Sequence, residues 1–369
     1  MLHESRIEKL AALLREKDLN AIFAGPSTDL EYLADLKLFD DERVKGLLIS
    51  SEGRVFALTP MLYGEEMRNA LGDRAIYKIW ADHEGFKTAL VEGAAEIGVE
   101  VTGSSIAIND GVRAVDLIEM AHVLHAKYVN GANLLSPLRR VKDETELEYM
   151  RRASSIADTV MEDVSKFIRA GQSEHEVQEF LVKAFAERGG DALSFSPIVA
   201  SGPGGSMPHY QRNDRILQDG DFVVVDMGCK YKGYCSDMTR TFCIGEPNDE
   251  MRRVYEIVLE AQKTGEAAVR PGSTGQDVDR AARKIIADAG YGEYFLNRLG
   301  HGVGIAIHEE PYIIEGNDAP LEPGNVFSVE PGIYIPGKFG VRIENLVAVR
   351  ADGSAEALNK FTRELITIK

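Results

Sequence analysis

VVVDMGCKYKGYCSDMTRT, at residues 223–241, and FSVEPGIYIPGKFGVRIEN, at residues 327–345, are two segments built on one pattern. Each opens with a short, mainly apolar run that ends at an acid, Asp226 in the first segment and Glu330 in the second. Such runs, flanked by glycine, predict short buried strands. One glycine stands six residues before each acid, just ahead of the quoted segment, and another stands two residues after it. The two segments therefore align as a diverged internal duplication.

A second acid follows each first acid across a glycine-containing turn: Asp237 comes eleven residues after Asp226, and Glu344 comes fourteen residues after Glu330. If each segment folds as a hairpin, the four carboxylates meet. A buried, unpaired carboxylate is costly, and four close negative charges repel one another. Two divalent cations would balance these charges. The GHGVG motif adds one imidazole, so the pattern predicts a metal site with five ligands: Asp226, Asp237, His301, Glu330 and Glu344.

With these motifs in place, the chain resembles the metallopeptidase family that includes methionine aminopeptidase, prolidase and creatinase, within its proline-specific branch. The resemblance covers nearly the whole chain. The metal ligands of that family are two Asp, one His and two Glu, in the order in which they occur here. Three further positions match the family pattern: His209 in SMPHYQRND, His308 in HEEP, and Arg342.

The resemblance implies a hydrolase that cuts the peptide bond before proline. Two divalent ions per subunit would hold a bridging hydroxide, which attacks the scissile carbonyl. Glu330 would accept the proton of the attacking water, while His209 and His308 would hydrogen-bond the carbonyl and the tetrahedral intermediate. Arg342 is expected to orient Asp237 or Glu344. Oxygen-rich ligation suits Mn²⁺, Co²⁺ or Fe²⁺ at least as well as Zn²⁺, and Mn²⁺ or Co²⁺ is the expected metal.

The implied architecture has two domains. The resemblance places an α+β catalytic domain of the pita-bread fold at residues 136–369, with a curved antiparallel sheet, helices and internal pseudo-two-fold symmetry. A smaller, creatinase-like α/β domain precedes it at residues 1–135, where strand-like and helix-like stretches alternate. The segment from Leu135 to Lys142, polar and containing a proline, predicts the connector between them.

Helix boundaries can be predicted at several places in the second domain. Capping boxes, formed by Asp143 with Glu146 and by Ser173 with Glu176, predict two helix starts. Later helices are expected at about 249–269 and 274–289, where Gly290 supplies a stop.

The two histidines of the GHGVG and HEEP motifs lie seven residues apart. On one regular strand, this odd spacing would put His301 and His308 on opposite faces. That arrangement favours one metal ligand and one non-ligand.

The residues leave the choice of substrate open. Xaa-Pro dipeptidases and Xaa-Pro aminopeptidases share nearly the same metal motifs. Some dipeptidases carry an arginine just after the HExP motif, where it could hold the proline carboxylate, but Tyr312 occupies that place here. Arg212 or Arg298 could do the same work. A non-catalytic peptide-binding protein of this fold is the alternative from another class.

Composition restricts the partners and the compartment. The net charge of −17 over 369 residues disfavours nucleic acid and anionic membrane as partners. Small peptides with proline second are the expected substrates. The three cysteines have no CxxC spacing, and the N-terminus lacks the apolar core of a signal peptide, so we expect reduced thiols and a cytoplasmic enzyme. The resemblance also implies a homodimer.

Overall fold

The computed structural model describes residues 2–369. The chain divides into two compact units, Met1–Arg139 and Arg140–Lys369. The predicted boundary, between residues 135 and 136, lies a few residues before this division.

The first unit is an α/β structure built on a six-stranded mixed sheet, with strand order β4-β3-β2-β1-β5-β6. The β1–β2 and β2–β3 pairs are antiparallel, and the others are parallel. The strands are β1 Ala21–Ala24, β2 Gly46–Ser50, β3 Val55–Pro60, β4 Ile76–Trp80, β5 Thr102–Ile108 and β6 His125–Asn130. The helices are α1 Glu4–Glu16, α2 Thr28–Ala34, α3 Gly64–Leu71, α4 Lys87–Glu96, α5 Ala114–Ala121 and α6 Ala132–Arg140.

The expected connector contains the division between the two units, and it is a helix for most of its length. Helix α6 continues through Pro137 to Arg140. Its apolar residues Leu134 and Leu135 are buried. Tyr32 donates a hydrogen bond to the carbonyl of Leu138 at 2.8 Å. Burial and these tertiary contacts stabilise the helix against the cost of an internal proline.

The second unit contains four helices, and the first two begin at the predicted capping boxes. The helices are α7 Glu144–Phe167, α8 Glu174–Glu187, α9 Asp249–Ala268 and α10 Gly275–Asp288. The strands of its first half are β7 Ala192–Leu193, β8 Ile198–Ser201, β9 Phe222–Met227, β10 Cys229–Tyr231, β11 Tyr234–Cys235 and β12 Met238–Ile244. The remaining strands are β13 Gly300–Gly302, β14 Glu309–Ile313, β15 Val326–Val329, β16 Gly332–Ile335, β17 Phe339–Arg342, β18 Asn345–Val349, β19 Ala355–Ala357 and β20 Ile366–Ile368.

The two halves of this unit repeat one plan, as the aligned segments predict. In the first half, β9 pairs antiparallel with β12 and the short β10–β11 hairpin lies between them in sequence. In the second half, β15 pairs antiparallel with β18, with the β16–β17 hairpin between them. Helices α7 and α8 pack on the first hairpin, and α9 and α10 pack on the second. The sheet orders are β20-β12-β9-β8 and β14-β13-β15-β18-β19.

Candidate active site

Strand alternation places the first acid of each segment on the face opposite the helices. In β9, Val223 and Val225 pack into the core beneath α7 and α8. Side chains alternate along a strand, so Asp226 points to the other face. In β15, Phe327 and Val329 pack toward α9 and α10. The same alternation directs the next acid, just beyond that strand, away from the helices.

The second acids lie where the return strands begin. Asp237 directly precedes β12, and Glu344 directly precedes β18. Together with His301 of β13 they form one group whose ligand atoms lie within 4.8 Å of one another. All three side chains are buried. We call these three residues and the two first acids the acid cluster: Asp226, Asp237, His301, Glu330 and Glu344.

His301 joins the acids through one ring nitrogen. Its Nδ1 lies 3.1 Å from the carbonyl oxygen of Gly302. Its Nε2 lies 3.2 Å from Oε1 of Glu330 and 3.8 Å from Oδ2 of Asp237. If Nδ1 donates its proton to the carbonyl, Nε2 turns a lone pair toward two carboxylates. That geometry requires a proton or a metal ion between the groups.

The electrostatics of the cluster also fit a cation. Burial, followed by repulsion from Glu344, Asp226 and Glu330, raises the pKa of Asp237 well above its ordinary value. Burial and the charges of Glu330 and Asp226 do the same to the pKa of Glu344. Oδ1 of Asp226 is buried and has no hydrogen-bond partner within residues 2–369. An oxygen-rich donor set with one imidazole and an unpaired buried oxygen fits divalent metal ions.

Arg342 contacts a different acid from those expected. Its Nη2 donates to Oδ2 of Asp226 at 2.6 Å. Its Nε donates to Oγ1 of Thr239 at 3.0 Å, and that hydroxyl donates to Oε2 of Glu344 at 2.6 Å. The direct carboxylate partner of Arg342 is therefore Asp226, which was not expected, and its link to Glu344 is indirect. The structure routes its contact with Glu344 through Thr239, because the β12 hydroxyl lies between the two side chains.

The two histidines of the GHGVG and HEEP motifs face each other. The ring centroids of His301 and His308 are 4.2 Å apart, and the planes cross at 79°. The prediction of opposite faces was wrong because the residues do not share one strand: His301 lies in β13, and His308 directly precedes β14, which pairs antiparallel with β13. Burial and the neighbouring His301 lower the pKa of His308 to about 4, so its imidazole is neutral near pH 7.

His209 lies on an exposed loop that follows the 3-10 helix Gly202–Ser206. The preceding residue, Pro208, accepts a 3.4 Å hydrogen bond from Nη1 of Arg342 through its carbonyl. The charge of His209 also contributes to lowering the pKa of His308. The loop therefore brings His209 close to the acid cluster.

Sequence reasoning missed a buried arginine behind the cluster. Arg240 donates to the backbone carbonyls of Thr239 and Glu344, at 2.9 and 2.5 Å. It also donates to Oδ1 of Asn345 at 2.9 Å, and to the carbonyls of Phe361 and Thr362 at 2.8 and 2.7 Å. Burial lowers its pKa to about 10, which leaves it charged near pH 7. A charged residue in a strand normally indicates an exposed face, so the pattern carried no sign of this role.

A buried ion pair behind the HEEP motif was also missed. Nζ of Lys142 lies 2.6 Å from Oε1 of Glu309, and both side chains are about 1% exposed. The pair ties β14 to the segment that precedes α7. The acid next to His308 is therefore engaged by Lys142.

The paired hairpins, the buried acids and the facing histidines define a metal-dependent hydrolase. The model of metallopeptidase family M24 matches residues 148–351. The chain is 36% identical to the probable dipeptidase PepE of Mycobacterium tuberculosis, covering 100% of this chain and 97% of that protein. It is 33% identical to the Xaa-Pro dipeptidase of Pyrococcus furiosus, covering 98% and 100%. The crystal structure of a prolidase from Thermococcus sibiricus matches with a TM-score of 0.94 and 38% identity, covering all of both chains.

The chain therefore belongs to metallopeptidase family M24 and is a metal-dependent peptidase. Its second unit has the pita-bread fold, as the sequence resemblance predicts. Divalent metal ions are the cofactors of this class. Among residues 2–369, no helix combines the length and the apolar character that crossing a membrane requires.

The metal-free protein is expected to lose stability as the pH rises. The pKa values of Asp237 and Glu344 are raised on folding, so the folded state binds more protons than the unfolded state above about pH 4. Each group then costs up to about 1.4 kcal/mol per pH unit until the pH passes its folded pKa. Urea unfolding after chelation, from about pH 5 to about pH 8, measures this slope. Glu344→Gln should flatten it; an unchanged slope in that variant would contradict the assignment.

Proposed function

We propose that the protein is an Xaa-Pro dipeptidase that uses two divalent metal ions, with Mn²⁺ or Co²⁺ preferred. The observation that carries the proposal is the acid cluster, in which Asp237, His301 and Glu344 are buried, with neutral His308 beside it. Similarity to proteins named Xaa-Pro dipeptidase and prolidase supports the choice of substrate.

The five residues of the acid cluster would hold the ions. Four carboxylates balance the charge of two divalent cations, and the imidazole supplies a fifth, neutral ligand. Such ions would supply a water of lowered pKa as the nucleophile and would polarise the scissile carbonyl. Glu330, whose Oε1 accepts a 2.9 Å hydrogen bond from Ser328, would take the proton of the attacking water.

The two histidines would stabilise the substrate carbonyl. A neutral His308 donates an N–H to the oxygen that becomes negative as the tetrahedral intermediate forms. A lowered histidine pKa keeps the imidazole neutral, so that it can act as a hydrogen-bond donor. His209 would approach from its loop and contact the substrate as well.

We propose that Arg298 binds the free carboxylate of the dipeptide. Its guanidinium carbon lies 4.7 Å above the ring centroid of Tyr312. Its charge also lowers the pKa of His308, which supports a position near that histidine. Stacking on the tyrosine pre-orients the planar guanidinium, whose paired N–H donors match the geometry of a carboxylate. Tyr312 thus supplies the platform at the position where some dipeptidases carry the arginine itself.

An Xaa-Pro aminopeptidase remains the second candidate. The observation that favours it is Tyr312 directly after the HEEP motif, where some dipeptidases have arginine. If Arg298 does not bind a carboxylate, longer peptides would fit equally well.

The deciding experiment compares three substrates after metal removal and addition of Mn²⁺ or Co²⁺: an Xaa-Pro dipeptide, its C-terminal amide and an Xaa-Pro-Yaa tripeptide. The proposal expects the dipeptide to be cleaved much faster than the other two. Preference for the tripeptide would make the protein an aminopeptidase, and cleavage of none would favour a peptide-binding protein.

Arg298→Met should raise the KM for the dipeptide about 10- to 100-fold, the cost of one charged hydrogen-bonded contact. Cleavage of the dipeptide amide should change little, because the amide carries no charge at that end. Arg212→Met is the matched control, since Arg212 is exposed and pairs with Asp214. Equal losses on both substrates would show that Arg298 does not recognise the carboxylate.

We also propose a cytoplasmic homodimer. All three cysteines are free and buried, which is consistent with a reducing compartment. The dimer rests on the family resemblance, and a single monomeric species in sedimentation at micromolar concentration would contradict it.

A further inference from the structure

The loop that carries His209 is fixed at the next residue. Tyr210 is only 7% exposed, although His209 beside it is exposed. Its ring packs against Ala200 and Val224 at the edge of the core. Gly204 lies against the same ring, where a side-chain carbon would come within 3.0 Å of it.

A fully buried carboxylate holds this tyrosine. Glu174, at the start of α8, is 0% exposed. Its Oε2 accepts a 3.0 Å hydrogen bond from the hydroxyl of Tyr210. Its Oε1 accepts from the backbone N and the hydroxyl of Ser201, at 2.8 and 2.6 Å. We call Glu174, Ser201 and Tyr210 the Tyr210 anchor.

The anchor is part of a complete polar network. Nη1 of Arg215 donates to the Ser201 hydroxyl at 2.7 Å, and the same guanidinium pairs with Asp221. Burial and the bond to Glu174 raise the pKa of Tyr210 to about 12, so the phenol stays a hydrogen-bond donor. Every oxygen of the buried carboxylate has a partner, which offsets its cost of burial.

Helix α8 does not need Glu174 for capping. Ser173 and Glu176 already form its capping box. The carboxylate of Glu174 is instead turned toward the loop at residues 201–210. On the other side of His209, the carbonyl of Pro208 accepts from Arg342, which also binds Asp226. His209 therefore lies between one attachment to α8 and one attachment to the acid cluster.

We propose that Glu174 and Tyr210 are positioning residues that hold His209 in place over the acid cluster and thereby set the rate of the chemical step. This role rests on the proposed function, in which His209 contacts the substrate carbonyl. A displacement of about 1 Å in a group that contacts the reacting atoms can cost about 100-fold in rate.

Tyr210→Phe removes the bond to Glu174 and keeps the ring. We expect kcat to fall about 10- to 100-fold with a small change in KM. Tyr128→Phe is the matched control, because it removes one tyrosine hydrogen bond, to the carbonyl of Leu124, far from the loop in sequence. That control should retain full activity.

A double-mutant cycle separates positioning from general destabilisation. If Tyr210 acts through His209, then Tyr210→Phe should have almost no further effect in a His209→Ala background. An equal loss of kcat with and without His209 would overturn the proposal.

Proteolysis tests the anchor without relying on activity. Arg212, 74% exposed, offers a trypsin site two residues beyond Tyr210. Cleavage there should be faster in Tyr210→Phe and Glu174→Gln than in wild type or in Glu179→Gln, an exposed carboxylate change on the same helix. Equal cleavage rates would overturn the anchor. If the wild type cleaves no proline peptide, the proposed function fails, and faster cleavage in the two variants would still support the anchor itself.

Discussion

Replacing Asp237 with asparagine is expected to lower peptide hydrolysis about 1000-fold or more. The residue belongs to the group with ligand atoms within 4.8 Å of one another, and a neutral amide is a poorer ligand for a divalent cation than a carboxylate. Changes to the outer partners of metal ligands already cost about 10- to 100-fold, so a direct ligand should cost more.

The same substitution should stabilise the metal-free protein. Asp237 carries a raised pKa because it is buried and faces Glu344, Asp226 and Glu330, so the neutral amide relieves repulsion. Thermal unfolding without and with Mn²⁺ measures both the stability of the metal-free variant and its ability to bind the metal ion. Mn²⁺ should raise the transition temperature of the wild type and leave that of the variant nearly unchanged.

Asp288→Asn is the control for this prediction, because Asp288 is exposed and pairs only with Lys284 among the ion pairs of residues 2–369. It should keep both full activity and the metal-dependent shift in transition temperature. A variant at Asp237 that retained activity and still gained stability from Mn²⁺ would exclude Asp237 as a ligand.

Arg342→Met should destabilise the metal-free protein by about 3–5 kcal/mol. Arg342 and Asp226 form a largely buried ion pair at 2.6 Å, with side chains 4% and 13% exposed, and removing one partner leaves the other charge unpaired. The change also removes the hydrogen bonds that this guanidinium donates to Thr239 and Tyr334. Urea unfolding after chelation measures the loss.

Adding Asp226→Asn to Arg342→Met should recover part of that stability, because no unpaired charge then remains. Arg280→Met provides the comparison, since its partner Glu315 and the arginine itself are both exposed. It should cost no more than about 1 kcal/mol. An equal loss of stability in Arg342→Met and Arg280→Met would show that the pair with Asp226 contributes no more than an exposed ion pair.

The acids could be predicted from the sequence because they lie in or next to short apolar runs, which indicate buried strands. A carboxylate at the end of an apolar run must have a partner, and two such runs with a second acid each leave few options other than cations. Capping boxes were equally readable, because both members lie within four residues of each other. Local patterns of this kind predicted the duplicated hairpins and the helix starts.

Features whose partners are distant in sequence could not be predicted. His301 and His308 face each other because the chain reverses between them, and the seven-residue spacing does not indicate this reversal. Arg240 and Glu174 bind mainly backbone or hydroxyl groups, which leave no complementary charge to find. The helix through Pro137 depends on tertiary contacts that override a local breaker.

Arg240 ties the strand that follows Asp237 to residues that lie more than 100 positions later in the chain. Three of its acceptors are Asn345, Phe361 and Thr362, whereas Asp226 and Asp237 leave the ribosome far earlier. Until those late residues arrive, a buried guanidinium would lack acceptors, and the hairpin that carries Glu344 could not close on β12. The acid cluster is therefore expected to be complete only once the segment that carries Phe361 and Thr362 has folded into place.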